Sequence, residues 1–448
     1  MIGRGVVHPR YGRGVVRQSR YRAFELQVEF ENGLITWVRQ DELSQIPATP
    51  REPRQRDSQT PPVSDEKFKF RRMIEAFRLG IVPCDCAEEF TFGRDEEMEQ
   101  IAKWLGNPNQ STILIVGQYG TGKTHLLHCA ISRALQNDYA VAWVEMDPNE
   151  APFYKPKRVY CRLIQGFRYY SKQDGQLKGF RAFLKEALVK GAFKDHLFFK
   201  YLHKYEKDII WDWIEGRESI VRPWGVDNSL YPDLPGLSDY STAANTYCYL
   251  LSALGWAARV VLGLQGLLLV FDEAETVTAH IYSYQFRKSK NFLRALICTA
   301  NGDRRLLRSP FQSGLDYLGI GIGPNTPFLY RVPSGLKMLF AFTSTDWNYD
   351  SEYRGGGVYQ RNPKIVEIDA TPKIDLRPLT DDAFKDVFEH ICLLYDGAYG
   401  FLAGDVTIDK IFRRVASESG RTRLFVKGSV EALDLARLNR GSSGGRQQ

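Results

Sequence analysis

Cysteine and histidine are scarce in this 448-residue chain, at seven each, and no apolar run is long and clean enough to span a bilayer. The cysteines show no framework spacing, which excludes a disulfide-stapled secreted fold and points to a reducing cytosol. Cys84 and Cys86 are too close together for a zinc knuckle and have no matching second pair, so both read as structural. The longest candidate span, Tyr247 to Phe271, is broken by Gly255, Arg259, Gly263, Gln265 and Gly266 and stops at Asp272 and Glu273. That pattern predicts a buried helix, a turn and a buried strand. The N-terminus, MIGRGVVHPRYGRG, lacks the apolar core of a signal peptide. A cytoplasmic protein with no membrane partner is therefore expected. No internal repeat is present. Apolar residues at 43% and charged residues at 25% exclude wholesale disorder, and a net charge of +7 is modest enough that its placement matters more than its size.

The length suggests two or three folded units. Residues 1–45 read as a small all-β barrel. Phe24, Leu26, Val28 and Phe30 alternate with polar partners, Asn32-Gly33 is a strong hairpin signal, and Leu34 to Val38 forms the return strand. Residues 46–65, with Pro47, Pro50, Pro53, Pro61 and Pro62, have no periodicity and read as a Pro/Arg-rich linker. From residue 66 onward strands alternate with helices. Strands are predicted at Ile113–Val116, Ala140–Val144, Leu267–Phe271, Lys337–Thr343 and Lys373–Leu376, and a helix at Thr124–Leu135. Alternation of this kind calls for a parallel sheet covered on both faces. Residues 66–376 are thus expected to form an α/β core with a helical insertion at about 155–260, followed by a helical lid at 377–440 and a polar, disordered tail at 441–448.

Two segments carry the chemistry. In ILIVGQYGTGKTHLL, Gly117, Gly122, Lys123 and Thr124 satisfy the phosphate-loop pattern G-x-x-x-x-G-K-[ST] between a strand and a helix. Glycines, Gly120 among them, let backbone N–H groups wrap inward around phosphates without Cβ clashes. Lys123 supplies the charge for the β and γ phosphates, Thr124 ligates Mg²⁺, and the helix start favours the anion. Thr121 and His125 flank this core and complete the expected nucleotide-contacting set. In LLLVFDEAET, Asp272 and Glu273 close an apolar strand at its carboxyl edge, where ligands bind in open α/β sheets. Asp272 would complete the Mg²⁺ shell and Glu273 would orient or deprotonate the attacking water, with Glu275 as a rival for that task. ATP and Mg²⁺ are the expected cofactors. The structural alternative, a glycine-rich turn and an unrelated acidic strand end, does not account for both segments together.

Further segments resemble parts of AAA+ ATPases. Phe92-Gly93-Arg94, ahead of an amphipathic helix, resembles the box that contacts adenine, which would put Phe92 and Arg94 beside the base; a helix-start turn with a hydrophobic staple is the alternative. Thr343, followed by Ser344 and Thr345, ends a strand where such proteins place a polar residue that reads the γ phosphate. GRTRLFVKGSVEALDLA resembles a lid helix carrying a second sensor arginine, Arg423, with Arg421 as its rival or a solvated basic face as the plain alternative. Arg304, Arg305, Arg308 and Arg331 are surface charges among which an arginine finger could lie. His8, beside Pro9 with no second ligand, and His125 and His128 on the loop helix read as ordinary side chains and not metal ligands.

The stretch from Phe92 through Arg168 is similar to the ATP-binding proteins of bacterial BREX phage-exclusion systems, on the strength of FGRDEEMEQI, GQYGTGKTHLL and VEMDPNEAPFYKPKRVYCRLI. FDEAETV and TRLFVKGSVEALDLA extend the likeness, although Thr422-Arg423 stands where that family's lid tends to read Pro-Arg. The likeness implies an AAA+-like ATPase working beside other defence-system proteins that act on DNA, and ring-type homo-oligomers are common among AAA+ proteins. The text VVHPRYGRGVV…VEFENGLITWV resembles Tudor-like or SH3-like barrels of DNA-repair helicases and polymerase-binding regulators. Arg4, Arg10, Arg13, Arg17, Arg20 and Arg22, interleaved with Tyr11 and Tyr21, precede the first acidic residue, Glu25, and suit a nucleic-acid backbone such as DNA, with a protein partner or plain solubility as the alternatives. The expected function is ATP hydrolysis in anti-phage defence, on or near DNA. An ATP-dependent switch or scaffold with little turnover, and an RNA-polymerase-associated regulator, are the alternatives.

Overall fold

A computed structural model of the protein describes residues 5–8, 12–20, 25–30, 35–39, 44–45, 65–81, 87–205, 207–217, 234–237, 239–278, 282–308, 326–343, 368, 370–402, 406, 408, 411–412 and 421–443. The Pro-rich stretch between 46 and 64, Cys84 and Cys86, the Asn32-Gly33 turn, Ser344 and Thr345, and Arg4, Arg10, Arg22, Tyr11 and Tyr21 lie outside these residues. The chain divides into two units, Met1–Val63 and Ser64–Gln448.

In the first unit, β1 (Gly5–His8), β2 (Gly12–Arg20), β3 (Glu25–Phe30), β4 (Ile35–Arg39) and β5 (Ser44–Gln45) form an antiparallel sheet in the order β4-β3-β2-β1-β5. Leu26 and Val28, two of the four apolar positions of the predicted alternation, are buried with Val6, Val16 and Val38 in one small core, while Phe24 lies outside the described residues. The register shifts between Val16 and Gln18, as a bulge produces.

The second unit begins with α1 (Asp65–Arg78) and α2 (Asp95–Gly106). β6 (Thr112–Gly117), α3 (Lys123–Gln136) and β7 (Tyr139–Glu145) follow. The insertion then contributes α4 (Pro156–Gln165), a two-stranded ribbon of β8 (Tyr169–Tyr170) and β9 (Leu177–Lys178), α5 (Phe180–Val189), α6 (Asp208–Ile214) and α7 (Ala244–Trp256). β10 (Gly266–Asp272), α8 (Ser283–Ala300), β11 (Leu336–Thr343), β12 (Lys373–Leu376), α9 (Asp381–Tyr399) and α10 (Arg421–Ser443) complete it. The apolar stretch at 247–271 is thus a helix, a π-turn at Ala257–Val261 and a strand, and no described helix is long and apolar enough to cross a membrane.

Five strands form one parallel sheet in the order β12-β6-β11-β10-β7. All seven residues of β10 and all eight of β11 are buried, so both strands are near-continuous apolar runs and not alternating, with polar residues only towards their ends at Asp272, Lys337 and Thr343. Leu268, Val270, Leu339 and Ala341 face one core with Leu126 and Leu127 of α3 and Trp104 of α2. Leu267, Leu269, Phe271, Met338, Phe340 and Phe342 face the other, which the insertion and α8 cover; Phe271 stacks on Phe340 with ring centres 4.6 Å apart. The insertion is therefore part of the main core.

The C-terminal helices form a third core, and it includes residues from ahead of the sheet. Met73, Ile74 and Phe77 of α1, together with Phe90, pack with Phe384, Phe388, Ile391, Tyr395, Phe425 and Val430 of α9 and α10. Arg78 binds Asp434 through two bonds of 2.8 and 2.7 Å, and the Tyr395 hydroxyl donates to the same carboxylate at 2.6 Å. A sequence boundary at 376/377 leaves α1 with the α/β core, whereas its apolar face is buried against the helices beyond that boundary. The tail boundary at 441 likewise falls inside α10, which runs to Ser443.

One buried lysine shows how the helix ends are finished. Lys337, on β11, donates from Nζ to the carbonyls of Trp104, Asn107 and Gln110 at 2.7, 2.8 and 3.0 Å and lies over the Trp104 ring. It uses all three ammonium donors on carbonyls around the carboxyl end of α2, where a positive charge is favoured. Burial nevertheless lowers its proton affinity, to a pKa of about 8. Replacing it as Lys337→Met, which keeps the stem and removes the donors, is expected to cost about 2 kcal/mol in chemical denaturation at neutral pH.

Candidate functional site

The sheet register brings the candidate residues to one edge. Thr343 at the end of β11 pairs with Gly117 at the end of β6, and on the other side of β11 the chain of β10 ends in Asp272. The Gly117–Gly122 loop connects β6 to α3. Gly120 and Gly122 have φ of +78° and +97°, a region closed to most side chains. A Cβ on Gly122 would meet no atom within 4 Å, so the loop keeps open space above it, as a phosphate cradle requires. The loop is braced internally by Thr121, whose hydroxyl donates to the Gln118 carbonyl at 2.8 Å.

Lys123 is only 7% exposed, and its ammonium donates to Gly117 O (3.2 Å), Gln118 O (3.4 Å) and Thr343 Oγ1 (3.1 Å). The Thr343 hydroxyl in turn donates to the Glu275 carboxylate. Next along the helix, Thr124 Oγ1 donates to Asp272 Oδ2 at 2.7 Å, while Asp272 Oδ1 accepts from the Glu273 amide at 2.9 Å. Lys123, Thr124, Asp272, Glu273, Glu275 and Thr343 therefore form one connected site. A threonine hydroxyl and a carboxylate against the phosphate loop are the hard oxygen donors that suit Mg²⁺, which completes its shell with water and substrate oxygens. This donor set fits the ion.

Glu273 holds the left-handed conformation at φ +51°, unusual for a residue with a Cβ, and its carbonyl accepts from both the amide and the hydroxyl of Thr276. Its carboxyl is pushed up to about 7 by burial first, then by the neighbouring Glu275 and Asp272 carboxylates, against the pull of Lys123. Such a group is poised to take a proton near neutral pH.

The other sequence candidates are placed as follows. Arg94 is buried and grips the loop from outside, with Nη2 donating to the Thr121 carbonyl at 2.8 Å and Nη1 paired with Glu97 at 3.0 Å. Phe92 turns the other way, its ring 5.6 Å from Phe90 and 5.3 Å from His390 of α9. The side chain of His125 is committed to Thr91, Nε2 to Oγ1 at 2.8 Å, and since the Thr91 proton goes to Ala87 O the imidazole carries its hydrogen on Nε2. Burial, with His128 and Arg94 nearby, holds His125 down to about 4, so it is neutral. His128 packs against Trp143, and among the described residues no three His, Cys, Asp or Glu side chains cluster as a metal site.

The arginines from the C-terminal segment and the 304–331 region engage neighbours away from the loop. Arg423 donates to the Leu79 carbonyl at 3.4 Å, and Arg421 pairs with Asp381 and lies over Phe384 and Phe412. Arg305 pairs with Asp303, Arg331 with Asp195, and Arg304 and Arg308 are exposed. Two links were not legible in the sequence. The Arg94 bond to the loop backbone leaves no pattern, and the Glu275–Thr343 pair joins residues 68 positions apart.

Residues 66–185 match the family model described as BREX system ATP-binding protein BrxC/D. The match contains α1, α2, the phosphate loop, α3, β7 and α4, and stops ahead of Asp272, Glu273 and Thr343. No curated protein matches the chain. The family match supports an ATP-binding protein of a BREX phage-defence system.

Two measurements probe this geometry. Because Glu273 has a higher proton affinity folded than unfolded, the protonated carboxyl's contribution is fully present below about pH 4.5 and is lost as pH rises through about 7. In metal-free protein with chelator, Glu273→Gln should therefore melt higher than wild type at pH 8 by roughly 1 kcal/mol, allowing for the water that reaches this half-buried group, with the gain vanishing near pH 4.5. Arg94→Ala should weaken equilibrium nucleotide binding about tenfold by loosening the loop, with a smaller effect on the affinity of an unphosphorylated nucleoside.

Proposed function

We propose that the protein is an AAA+-like ATPase of a BREX-type defence system that hydrolyses Mg·ATP and acts on or near DNA with partner proteins. The observation that carries the proposal is the convergence of Lys123, Thr124, Asp272 and Thr343 on one sheet edge, joined to the family match over the loop itself.

In this reading Lys123 exchanges the loop carbonyls for β and γ phosphate oxygens, and backbone amides at the start of α3 would donate to the same anion. Thr124 and Asp272 would hold Mg²⁺, which when bound would supply charge neutralisation to the phosphates. Glu273 orients the attacking water and accepts its proton, while Thr343 donates to the γ phosphate. Arg94 serves as a brace for the loop, and Phe92 ties the same turn to the C-terminal helices. Arg423 reaches a nucleotide only if those helices move, since it is bonded to Leu79 in the structure.

The N-terminal sheet is proposed as a small SH3/Tudor-like barrel that contacts DNA, in support of which β2 carries Arg13, exposed, with Arg17 and Arg20 on the same strand. Ring assembly and a cytoplasmic location belong to the same proposal. The alternative reading is a nucleotide-dependent switch with little turnover.

Lys123→Ala is expected to lower ATP affinity by at least about a hundredfold in a fluorescent-nucleotide titration. Glu273→Gln should keep ATP binding and lose turnover by about 10²-fold or more. Duplex DNA should stimulate wild-type hydrolysis. Normal hydrolysis by Lys123→Ala would overturn the site, and full phage protection by Glu273→Gln would favour the switch.

A further inference from the structure

A threonine hydroxyl has one proton to give and two lone pairs to receive with. In this structure the Thr343 proton goes to Glu275 Oε1, and one of its lone pairs receives Lys123 Nζ at 3.1 Å. The hydroxyl is therefore already fully engaged as a donor. Were Thr343 to donate to a terminal phosphate oxygen, it would first have to withdraw that proton from Glu275.

The backbone that carries Glu275 is held in place. It sits in the short 3₁₀ turn Ala274–Val277, which packs against β11. The turn is pinned on both sides of it, since the amide and hydroxyl of Thr278 donate to the Glu275 carbonyl at 2.9 and 2.8 Å and those of Thr276 to the Glu273 carbonyl at 3.1 and 2.9 Å. The second carboxylate oxygen, Oε2, is buried and accepts no hydrogen bond among the described residues. Taking away the Thr343 proton would cost Glu275 the hydrogen bond that its Oε1 accepts, and would leave only the neighbouring Glu273 carboxyl in reach as a donor. A buried acceptor stripped of its partner carries a desolvation penalty. A diphosphate asks nothing of Thr343 and does not incur that penalty.

We infer that Glu275 is a positioning residue that sets the preference between nucleoside triphosphate and diphosphate, by competing with the terminal phosphate for the Thr343 proton. The inference rests on the nucleotide reading of the site. Glu275 holds the sensing hydroxyl in a donor-occupied state, and it thereby keeps triphosphate binding weaker than the same pocket would otherwise give.

The test uses the full-length protein with Mg²⁺ and measures the affinities of ADP and of a slowly hydrolysed triphosphate, ATPγS, by displacement of a fluorescent ADP. Glu275→Ala should raise the affinity ratio of ATPγS to ADP by about tenfold. Glu275→Gln loses the charge and keeps an oxygen acceptor for Thr343, and should shift the ratio by less than about threefold. Thr343→Val should lower the ratio and make a subsequent Glu275→Ala change silent, which tests the pair from its other member should Glu275→Ala alone fold poorly. A ratio within about twofold of wild type in Glu275→Ala, an equal shift in Glu275→Gln, or an undiminished Glu275→Ala effect in the Thr343→Val background would overturn the inference. Failure of the wild-type protein to bind either nucleotide would instead overturn the nucleotide reading beneath it.

Discussion

Lys123 keeps an ammonium group where only 7% of the residue is accessible, and it does so by spending each of its donors on an oxygen: two loop carbonyls and the Thr343 hydroxyl. A buried charge without such partners would cost several kcal/mol, so the loop, the end of β11 and the start of α3 must all arrive at one point. The parallel register accomplishes this, since pairing Thr343 with Gly117 aligns the ends of β11 and β6. β10, on the far side of β11, then brings Asp272 to Thr124. The site's polar groups and the sheet's apolar ones are fixed by the same pairing: slipping β11 by one residue would move its threonine off the lysine and exchange its two buried faces.

The segment from Ala87 to Arg94 has a second structural duty. Phe90 and Phe92 are packed among the C-terminal helices, Thr91 bonds His125 on the first turn of α3, and Arg94 holds the Thr121 carbonyl of the loop. Gly93, at φ +62°, permits the sharp change of direction, and a Cβ there would come within 2.8 Å of the Ala383 Cβ at the start of α9. A single short turn thus touches both the helical bundle and the phosphate loop. These contacts join α9 and the Gly117–Gly122 loop through one continuous segment.

Much of this arrangement was legible in the sequence, for identifiable reasons. Strands at 113–116, 267–271 and 337–343 are short, apolar and sharply bounded, and each was found within a residue or two of its observed ends. The phosphate loop and Asp272 could be read because their chemistry demands particular residues at fixed spacing beside a strand. Other features could not be read, because they depend on contacts between distant parts of the chain. That α1 joins α9 and α10 is decided by shape and by the Arg78–Asp434 pair, 356 positions apart. The roles of Arg94 and Phe92 diverge although they are two residues apart, since one side chain follows the loop and the other the bundle. Lys337 opens a predicted strand, and only the fold reveals that three carbonyls around the α2 terminus enclose its amine.

The placement of α1 bears on how the two units of the chain are joined. The polypeptide leaving the N-terminal sheet passes through the Pro-rich stretch and enters the second unit at α1, whose buried face belongs to the bundle of α9 and α10 and not to the five-stranded sheet. A pull on the chain just ahead of Asp65 would therefore load the core of α1, α9 and α10, and the Arg78–Asp434 pair within it, before it reached the five-stranded sheet.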